Sequence, residues 1–444
     1  MEKIIIAGGG LGGLLLAILL EKASLDYMVL ERSTEAKMPL EGGGVISITS
    51  QIQPLLQQLG LLDALRRFSR PVSSVTVLEI DQPGGQPRIV GTIDSEFSYS
   101  RYQYYSLVIS RPELYNYLVD QIPTSKLLLG KQVQDVSQND SVATCICADG
   151  SQYQGIVIGA DGAYSSVRLS LYRQLRQQDL LAAQDYKPMK YEYRALVGMT
   201  KPLDPDLFKL ISGEHSNMRV ATSQGSNPFS FWCVPMTGNR LCWMLDEPLT
   251  EAQDCPDIED WSAIPQAVNE MCGKYRAMQS PIGGILIGGL FDSTPTGTML
   301  SLPREEGFYS TWAHGRIALM GDACHKALPY GGQPFVQAGY DAAWIANALY
   351  AHSLDPDQDV TARLLTYETE RHSGAKEAVE ASHRFGKLLN RQGWIGKMVR
   401  YFVLNYVPQF ILHWVGDRLN RERPQVDFLP RVIGKVAGEK KEGR

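Results

Sequence analysis

The sequence predicts an α/β protein: a sheet domain opened by a βαβ unit, a mid-chain antiparallel sheet, and a helical C-terminal region. Three observations predict it. The phrase Gly8-Gly9-Gly10-Leu11-Gly12-Gly13 stands directly behind the apolar run Ile4-Ile5-Ile6-Ala7. Two more phrases, Gly159-Ala160-Asp161-Gly162 and Gly321-Asp322-Ala323-Cys324-His325, follow in order, each behind another short β-like run. Between Lys190 and Leu245, segments alternate as strands with one exposed face do.

The opening unit follows from mechanics. Ile4 to Ala7 reads as a buried strand and Leu14 to Leu20 as a helix packed on a sheet. Between them Gly8 makes the tight turn, Gly10 lets backbone approach a pyrophosphate, and Gly13 lets helix pack closely on strand. A diphosphate then sits at the helix N-terminus, where unpaired N–H groups and the helix dipole favour an anion. The next strand, Tyr27 to Leu30, ends in Glu31, where an acid that binds an unphosphorylated ribose belongs. That acid fits FAD or NAD rather than NADP at this site, and the two later phrases decide for FAD. Ile156-Val157-Ile158 presents Asp161 and Gly162 at a carboxyl edge, and Ile317 to Met320 places Asp322 to accept from a ribityl hydroxyl.

Composition excludes several classes. The chain has 444 residues, 44% hydrophobic and 20% charged, enough for two or three domains with substantial cores. The net charge of −5, without a long basic run before the tail, argues against nucleic acid as a partner. Seven cysteines are scattered; only Cys145 and Cys147 lie close, at a spacing that suits neither zinc nor a disulfide framework. A reducing, cytoplasmic location is expected, with no metal. Leu14 to Leu20 is too short to span a bilayer, and its place behind the glycine turn argues against a signal peptide.

The motifs divide the chain into residues 1–75, a βαβ unit with an excursion through Glu41-Gly42-Gly43-Gly44-Val45-Ile46; 76–180, its continuation; 181–300, the mid-chain sheet; 301–350, a return to the first domain; and 351–444, C-terminal helices and tail. Ser74 to Ile80 and Ser141 to Cys147 have strand character, and helical spacing runs from Thr361 to Asn390 with a break at Pro408 beyond it.

Together the phrases resemble the single-component, FAD-dependent aromatic-hydroxylase class of flavoprotein monooxygenases. The resemblance covers roughly residues 3 to 385 and includes Ser110-Arg111-Pro112-Glu113-Leu114, Trp312 with Gly315 and Arg316, and Tyr367-Glu368 with Arg371. His325-Lys326 and Trp344-Ile345-Ala346-Asn347 are similar to members from fungal meroterpenoid and indole-terpenoid pathways. The resemblance implies a Rossmann-like FAD domain and a mid-chain sheet that faces the isoalloxazine. It implies that Arg111 lies near the flavin and its phosphates, that Gly44 returns near the cofactor, and that Asp161 and Gly162 serve both flavin and transient nicotinamide. It also implies that Pro329 to Gly332 lead into a helix whose N-terminus, with the N–H groups of Phe335 and Val336, points at flavin N1 and O2.

The implied chemistry is reduction of FAD by NADH or NADPH, then oxygen addition at flavin C4a to give a hydroperoxide. This would hydroxylate or epoxidise a small, largely apolar aromatic, polyketide-like or terpenoid substrate. One departure stands out: where the family continues Gly-Gln-Gly-Ala-Asn-Gln, this chain has Gly332-Gln333-Pro334-Phe335-Val336-Gln337. Proline suits a first helical turn, but the bulk of Phe335 puts the usual flavin-swinging cycle in question. It keeps open a flavin-dependent oxidase, dehydrogenase or cyclase without oxygen insertion. A Trp-x-Trp-x-Ile-Pro phrase is missing, which disfavours a halogenase. For a catalytic side chain the sequence points to Arg194, on a strand among aromatics, where a guanidinium would hold a phenolate or enolate. The apolar segment Tyr401 to Leu412 reads as packing on the body or on a partner subunit, favoured over a membrane-surface helix. The oligomeric state is not legible.

Overall fold

The computed structural model describes residues 2–40, 43–80, 85–223, 227–255, 264–391, 393–421 and 423–432. Glu41 and Gly42 of the expected excursion and the tail from residue 433 lie outside these.

The fully buried strand Ile4–Ala7 is central to the first sheet. It pairs in parallel with Tyr27–Leu30 on one side and with Gln152–Gly159 on the other, and the latter pairs in parallel with Ile317–Leu319. Register is what matters here. Ala7 is level with both Leu30 and Gly159, and Gly159 is level with Leu319. Three glycine phrases separated by more than 300 residues of chain therefore leave the sheet at one edge, the carboxyl edge where ligands bind in such folds. Helix Leu11–Lys22 is buried from Gly13 to Leu20 because it is sandwiched between this sheet and helix Gln333–Leu354. A Cβ on Gly12 would meet that of Ala338 at 3.2 Å.

The second sheet runs, in spatial order, His325–Lys326, Leu300–Phe308, Lys190–Met199, Leu241–Asp254, Phe229–Pro235, Ser216–Ser223, Arg70–Ile80, Leu107–Ser110 and Val45–Ile48, with Arg88–Asp94 also on Arg70–Ile80. Among its described residues, only Ser216–Ser223 and Arg70–Ile80 pair in parallel. The boundaries expected at 75/76 and 300/301 are shifted accordingly. Arg70–Ile80 runs straight through the first, and Leu300–Phe308 hydrogen-bonds to Lys190–Met199. Sheet membership is set by backbone pairing, which contiguity in the chain does not reveal.

This sheet has two covered faces. On one, Leu196, Phe231, Trp243 and Leu245 pack against Met271 and Tyr275 of helix Ile264–Tyr275 and Ile287, Leu290 and Phe291 of helix Ile287–Asp292. On the other, Val77, Tyr193, Val220 and Trp232 meet Leu328 and Tyr330, from the loop after the third phrase, and Leu389. The chain closes with helices Val360–Asn390, Gly393–Tyr406 and Gln409–Leu419, the last capped by Pro408. Among the described residues no helix is long and apolar enough to cross a membrane.

Candidate active site

At the common edge, the first phrase forms an anion cradle. Gly8 has φ +106°, and a Cβ there would lie 2.5 Å from the Ala160 carbonyl oxygen; a Cβ on Gly13 would run into the Gly8 carbonyl. Gly10 differs: a Cβ there would meet nothing within 4 Å. It is the N-cap of helix Leu11–Lys22, with no side-chain cap and no acid in the first turn. Those N–H donors are the fit that a diphosphate requires. Glu31 is fixed beside them, accepting from Gly9 N at 2.7 Å and Ser33 N at 2.8 Å.

Arg111 begins helix Arg111–Val119, and its N–H donates to the Gly44 carbonyl at 3.0 Å, which clasps the excursion to the helix. Its guanidinium reaches Met38 Sδ at 3.6 Å and feels the charges of Glu31 and Asp322. Burial of the recess around it holds its pKa below the ordinary arginine value, against the pull of Tyr115, Asp322 and Glu31. Charges from three distant segments thus converge on one place.

In the second phrase both Asp161 oxygens are engaged, by Ser165 Oγ at 2.5 Å and Val167 N at 3.1 Å. Its side chain therefore braces the N-terminus of helix Ser166–Gln177, and Gly162 stands beside it at φ +84° with open space around a built Cβ. Arg168 bonds to the Ala323 and Ala163 carbonyls at 2.8 and 2.7 Å and stacks on Tyr309, tying second phrase to third.

Behind the third phrase lies a buried charge cluster. Asp341 accepts from His325 Nε2 at 2.6 Å, Arg371 Nε at 2.9 Å and Gly321 N at 2.9 Å. Burial alone would raise its pKa, but His325 and Arg371 hold it below the usual carboxylate value. Cys324, His325 and Asp341 offer ligand-type atoms within 4.8 Å of one another. The Arg371 guanidinium already on Asp341 makes this a structural clasp rather than a cation site. Glu368 accepts from Trp312 N and Ala313 N, and Tyr367 OH donates to the Leu319 carbonyl, so the late helix locks the strand that carries the phrase. Asp322 accepts from Lys326 Nζ at 2.5 Å.

The loop from Pro329 turns through Gly331 and Gly332, at φ +74° and +68°, into helix Gln333–Leu354. A Cβ on Gly332 would lie 2.8 Å from that of Ser47. Val336 is fully buried. The Phe335 ring, expected to stand beside the isoalloxazine, is 5% exposed and packs in the main core.

Arg194, expected as a catalytic side chain, sits in an ion-pair cluster. Its guanidinium pairs with Glu247 at 2.9 Å and Glu270 at 3.1 Å. It lies on the face covered by helix Ile264–Tyr275, away from the loop of the third phrase. Glu247 also accepts from Tyr275 OH at 2.8 Å and from Lys274. The side chain next to it in sequence points the opposite way. Asp246 accepts from Arg304 Nε at 2.8 Å and from Tyr330 OH at 3.1 Å, and Asn390 Nδ2 donates to the same hydroxyl at 3.1 Å. Burial pushes the Tyr330 pKa well above its ordinary value, keeping it a neutral donor. Trp232 lies 6.3 Å from Tyr330, ring to ring, and its buried indole N–H has no partner among the described residues. The sequence reading missed Asp246, Arg304, Tyr330 and Trp232. Parity was the available signal: with Trp243 and Leu245 on the helix-covered face, Met244 and Asp246 must lie on the other.

The fold and this edge define a class, the FAD-binding oxidoreductases. The chain matches the family described as FAD binding domain over residues 1–281 and 296–382, and it belongs to that family as an FAD-dependent monooxygenase. It is 30% identical over 458 residues to the FAD-dependent monooxygenase nvfK of Aspergillus novofumigatus, covering 97% of this chain and 88% of that protein. To penE of Penicillium thymicola, also named an FAD-dependent monooxygenase, it is 27% identical, covering 100% and 90%. In fold it is similar to Klebsiella pneumoniae HpxO complexed with FAD and uric acid, with TM-score 0.72 at 20% identity over 94% of this chain and 96% of that one. The Diels-Alderase PyrE3 shares the fold at TM-score 0.67 and 19% identity, over 95% and 80%.

Proposed function

We propose that this monooxygenase uses NADH or NADPH and O2 to hydroxylate or epoxidise a small, largely apolar molecule bound between the second sheet and the Pro329–Gly332 loop. The observation that carries this reading is the composition of that wall. Val77, Tyr193, Val220, Trp232 and Leu328 are apolar or aromatic, and among them stand the unpartnered Trp232 N–H and the Asp246–Arg304–Tyr330 network. A buried donor without a partner is costly, and a substrate carbonyl or hydroxyl oxygen would satisfy it.

The chemistry FAD supplies when bound is two-electron transfer from the nicotinamide and activation of O2. The protein does the rest. Gly10 and the open helix N-terminus hold the diphosphate, Glu31 the adenosine ribose, Asp322 the ribityl chain, and Arg111 the negative charge between them. The apolar wall excludes water, and Trp232 with Tyr330 orients the substrate. Tyr330, fixed by Asp246 and Asn390, presents a neutral hydroxyl at the loop that leads to the flavin-facing helix N-terminus. Arg304 stays charged against Asp246 because their attraction outweighs burial.

The test is turnover under 18O2 with purified, FAD-loaded protein. One labelled oxygen in the product for each NAD(P)H consumed is expected. Product without the label would replace this reading with that of an oxidase, dehydrogenase or cyclase.

A further inference from the structure

The two helices that follow Asn390 are built the wrong way round for a protein surrounded by water. Their inner sides are anchored. Asn405 Nδ2 donates to the Val90 carbonyl at 2.8 Å, Arg400 reaches the Leu389 and Arg391 carbonyls at 3.0 and 2.9 Å, and the Ser50 hydroxyl donates to Asn420 Oδ1 at 2.8 Å. Their outer sides are apolar. Trp394, Met398, Phe402 and Tyr406 on the first helix, and Phe410 and Trp414 on the second, are each 59–70% exposed. The spacings i, i+4, i+8 and i+12 on the first helix, and i, i+4 on the second, put each set on one stripe. Contiguous exposed patches of this kind mark a binding surface rather than ordinary surface residues.

We infer that helices Gly393–Tyr406 and Gln409–Leu419 lie in the plane of a phospholipid surface, with this stripe in the headgroup–acyl boundary. Composition selects the lipid over a protein partner. Tryptophan and tyrosine alternate with aliphatic side chains as in bilayer-interface helices. From Arg391 to Gly416 the chain carries Arg391, Lys397, Arg400 and His413 and no acid at all, although it has 48 acids overall. Arg400, fully buried, and Lys397 are turned inward to Glu79. This stretch therefore has no carboxylate to repel an anionic surface, rather than a basic patch that grips it, and the next residue, Asp417, is ion-paired with Arg101. Neither helix is long and apolar enough to span the bilayer, so they lie on it. The sequence favours packing on the body or on a partner subunit; the inner sides pack on the body, and the inference assigns the outer sides to lipid.

The placement also connects to the site. Asn390, which touches Tyr330, is the last residue of the helix before this pair, and Arg400 caps that same helix end. An apolar substrate dissolved in the membrane would thus arrive next to the proposed cavity; this part rests on the substrate class proposed above, whereas lipid binding does not.

The experiment is flotation of full-length, FAD-loaded protein with vesicles of phosphatidylcholine, alone and with 30 mol% phosphatidylserine (about one lipid in three anionic), without substrate. Wild type should float with both, and the variant Trp394→Ser/Phe402→Ser/Phe410→Ser/Trp414→Ser should lose at least about tenfold in bound fraction with FAD content and melting temperature unchanged. Brominated lipid should quench wild-type tryptophan fluorescence, and quench a Trp394→Phe/Trp414→Phe variant much less, which needs no loss of binding. Wild type that stays out of the vesicle fraction overturns the inference, including the case where it elutes as a dimer that the serine variant dissociates. Equal flotation of wild type and serine variant overturns it too. None of these results depends on turnover.

Discussion

Asp246 and Glu247 are neighbours on one strand and belong to two different machines. Asp246 faces the loop of the third phrase and holds Arg304 and Tyr330; Glu247 faces helix Ile264–Tyr275 and holds Arg194, Lys274 and Tyr275. Both carboxylates are nearly inaccessible, at 1% and 6% exposure, and both carry cationic partners, so neither burial nor charge tells them apart. Only the two-residue period of the strand does. On one face an ion pair stands next to an apolar wall with an unspent donor, while on the other it glues a helix to a sheet. The lesson is that function in this sheet is assigned by parity, and a one-residue slip exchanges the two roles.

Substitutions can break the contrast. The largest effect is expected for Asp246→Asn, which keeps volume but removes the charge that fixes Arg304 and Tyr330. Turnover should fall about a hundredfold, equivalent to ~2.7 kcal/mol, with FAD content unchanged by absorbance. A fully active variant would show that the Asp246 side of this strand is not the substrate side. Arg111→Lys, away from both faces, should raise the dissociation constant for FAD about tenfold, ~1.4 kcal/mol, because an ammonium cannot reproduce a guanidinium fork. Equilibrium titration of apoprotein with FAD measures it, and unchanged affinity would remove Arg111 from the cofactor site.

Arg194→Ala is the control on the other face. It should lower stability by roughly 1 kcal/mol or less, since the ion pair is part-exposed, and leave kcat within about twofold. Loss of turnover at unchanged melting temperature would restore Arg194 as a substrate-binding group. The smallest effect is one of pH. Burial opposes ionisation of Glu247, but Lys274, Tyr275 and Arg194 win and hold its pKa below the ordinary glutamate value. A depressed carboxylate pKa contributes stability above the unfolded value and loses it as pH falls through the folded one. The melting-temperature deficit of Glu247→Gln should therefore be greatest near neutrality and shrink below about pH 4.5; a deficit that grows on acidification would contradict this assignment.

The same contrast explains what could be read from the sequence. The cofactor edge was legible because its parts are local: Gly8, Gly10 and Gly13 are needed by one turn, Glu31 by the strand after it, and each later phrase by its own strand end. Arg111 at the start of its helix followed for the same reason. The wall proposed for the substrate was not legible because its parts meet only across the sheet. Arg304 reaches Asp246 from a strand almost 60 residues away, and Tyr330 and Asn390 arrive from a loop and a helix end. Arg194 was chosen for its aromatic neighbours in sequence, which alternate onto both faces. For Phe335, a position in the first turn of a helix says where its N–H points, and not where its ring goes.

The arrangement of the parallel sheet has a consequence for synthesis. Ile4–Ala7 leaves the ribosome first, yet its neighbour Gln152–Gly159 comes about 150 residues later and Ile317–Leu319 more than 300 later. At about 5–20 residues per second, the opening glycine turn waits tens of seconds for the groups that complete the nucleotide's cradle. Loading with FAD is thus a late event in the life of each molecule. Until then the amino-terminal half presents an unfinished sheet edge, the state in which a chain is most open to pairing with the wrong strand.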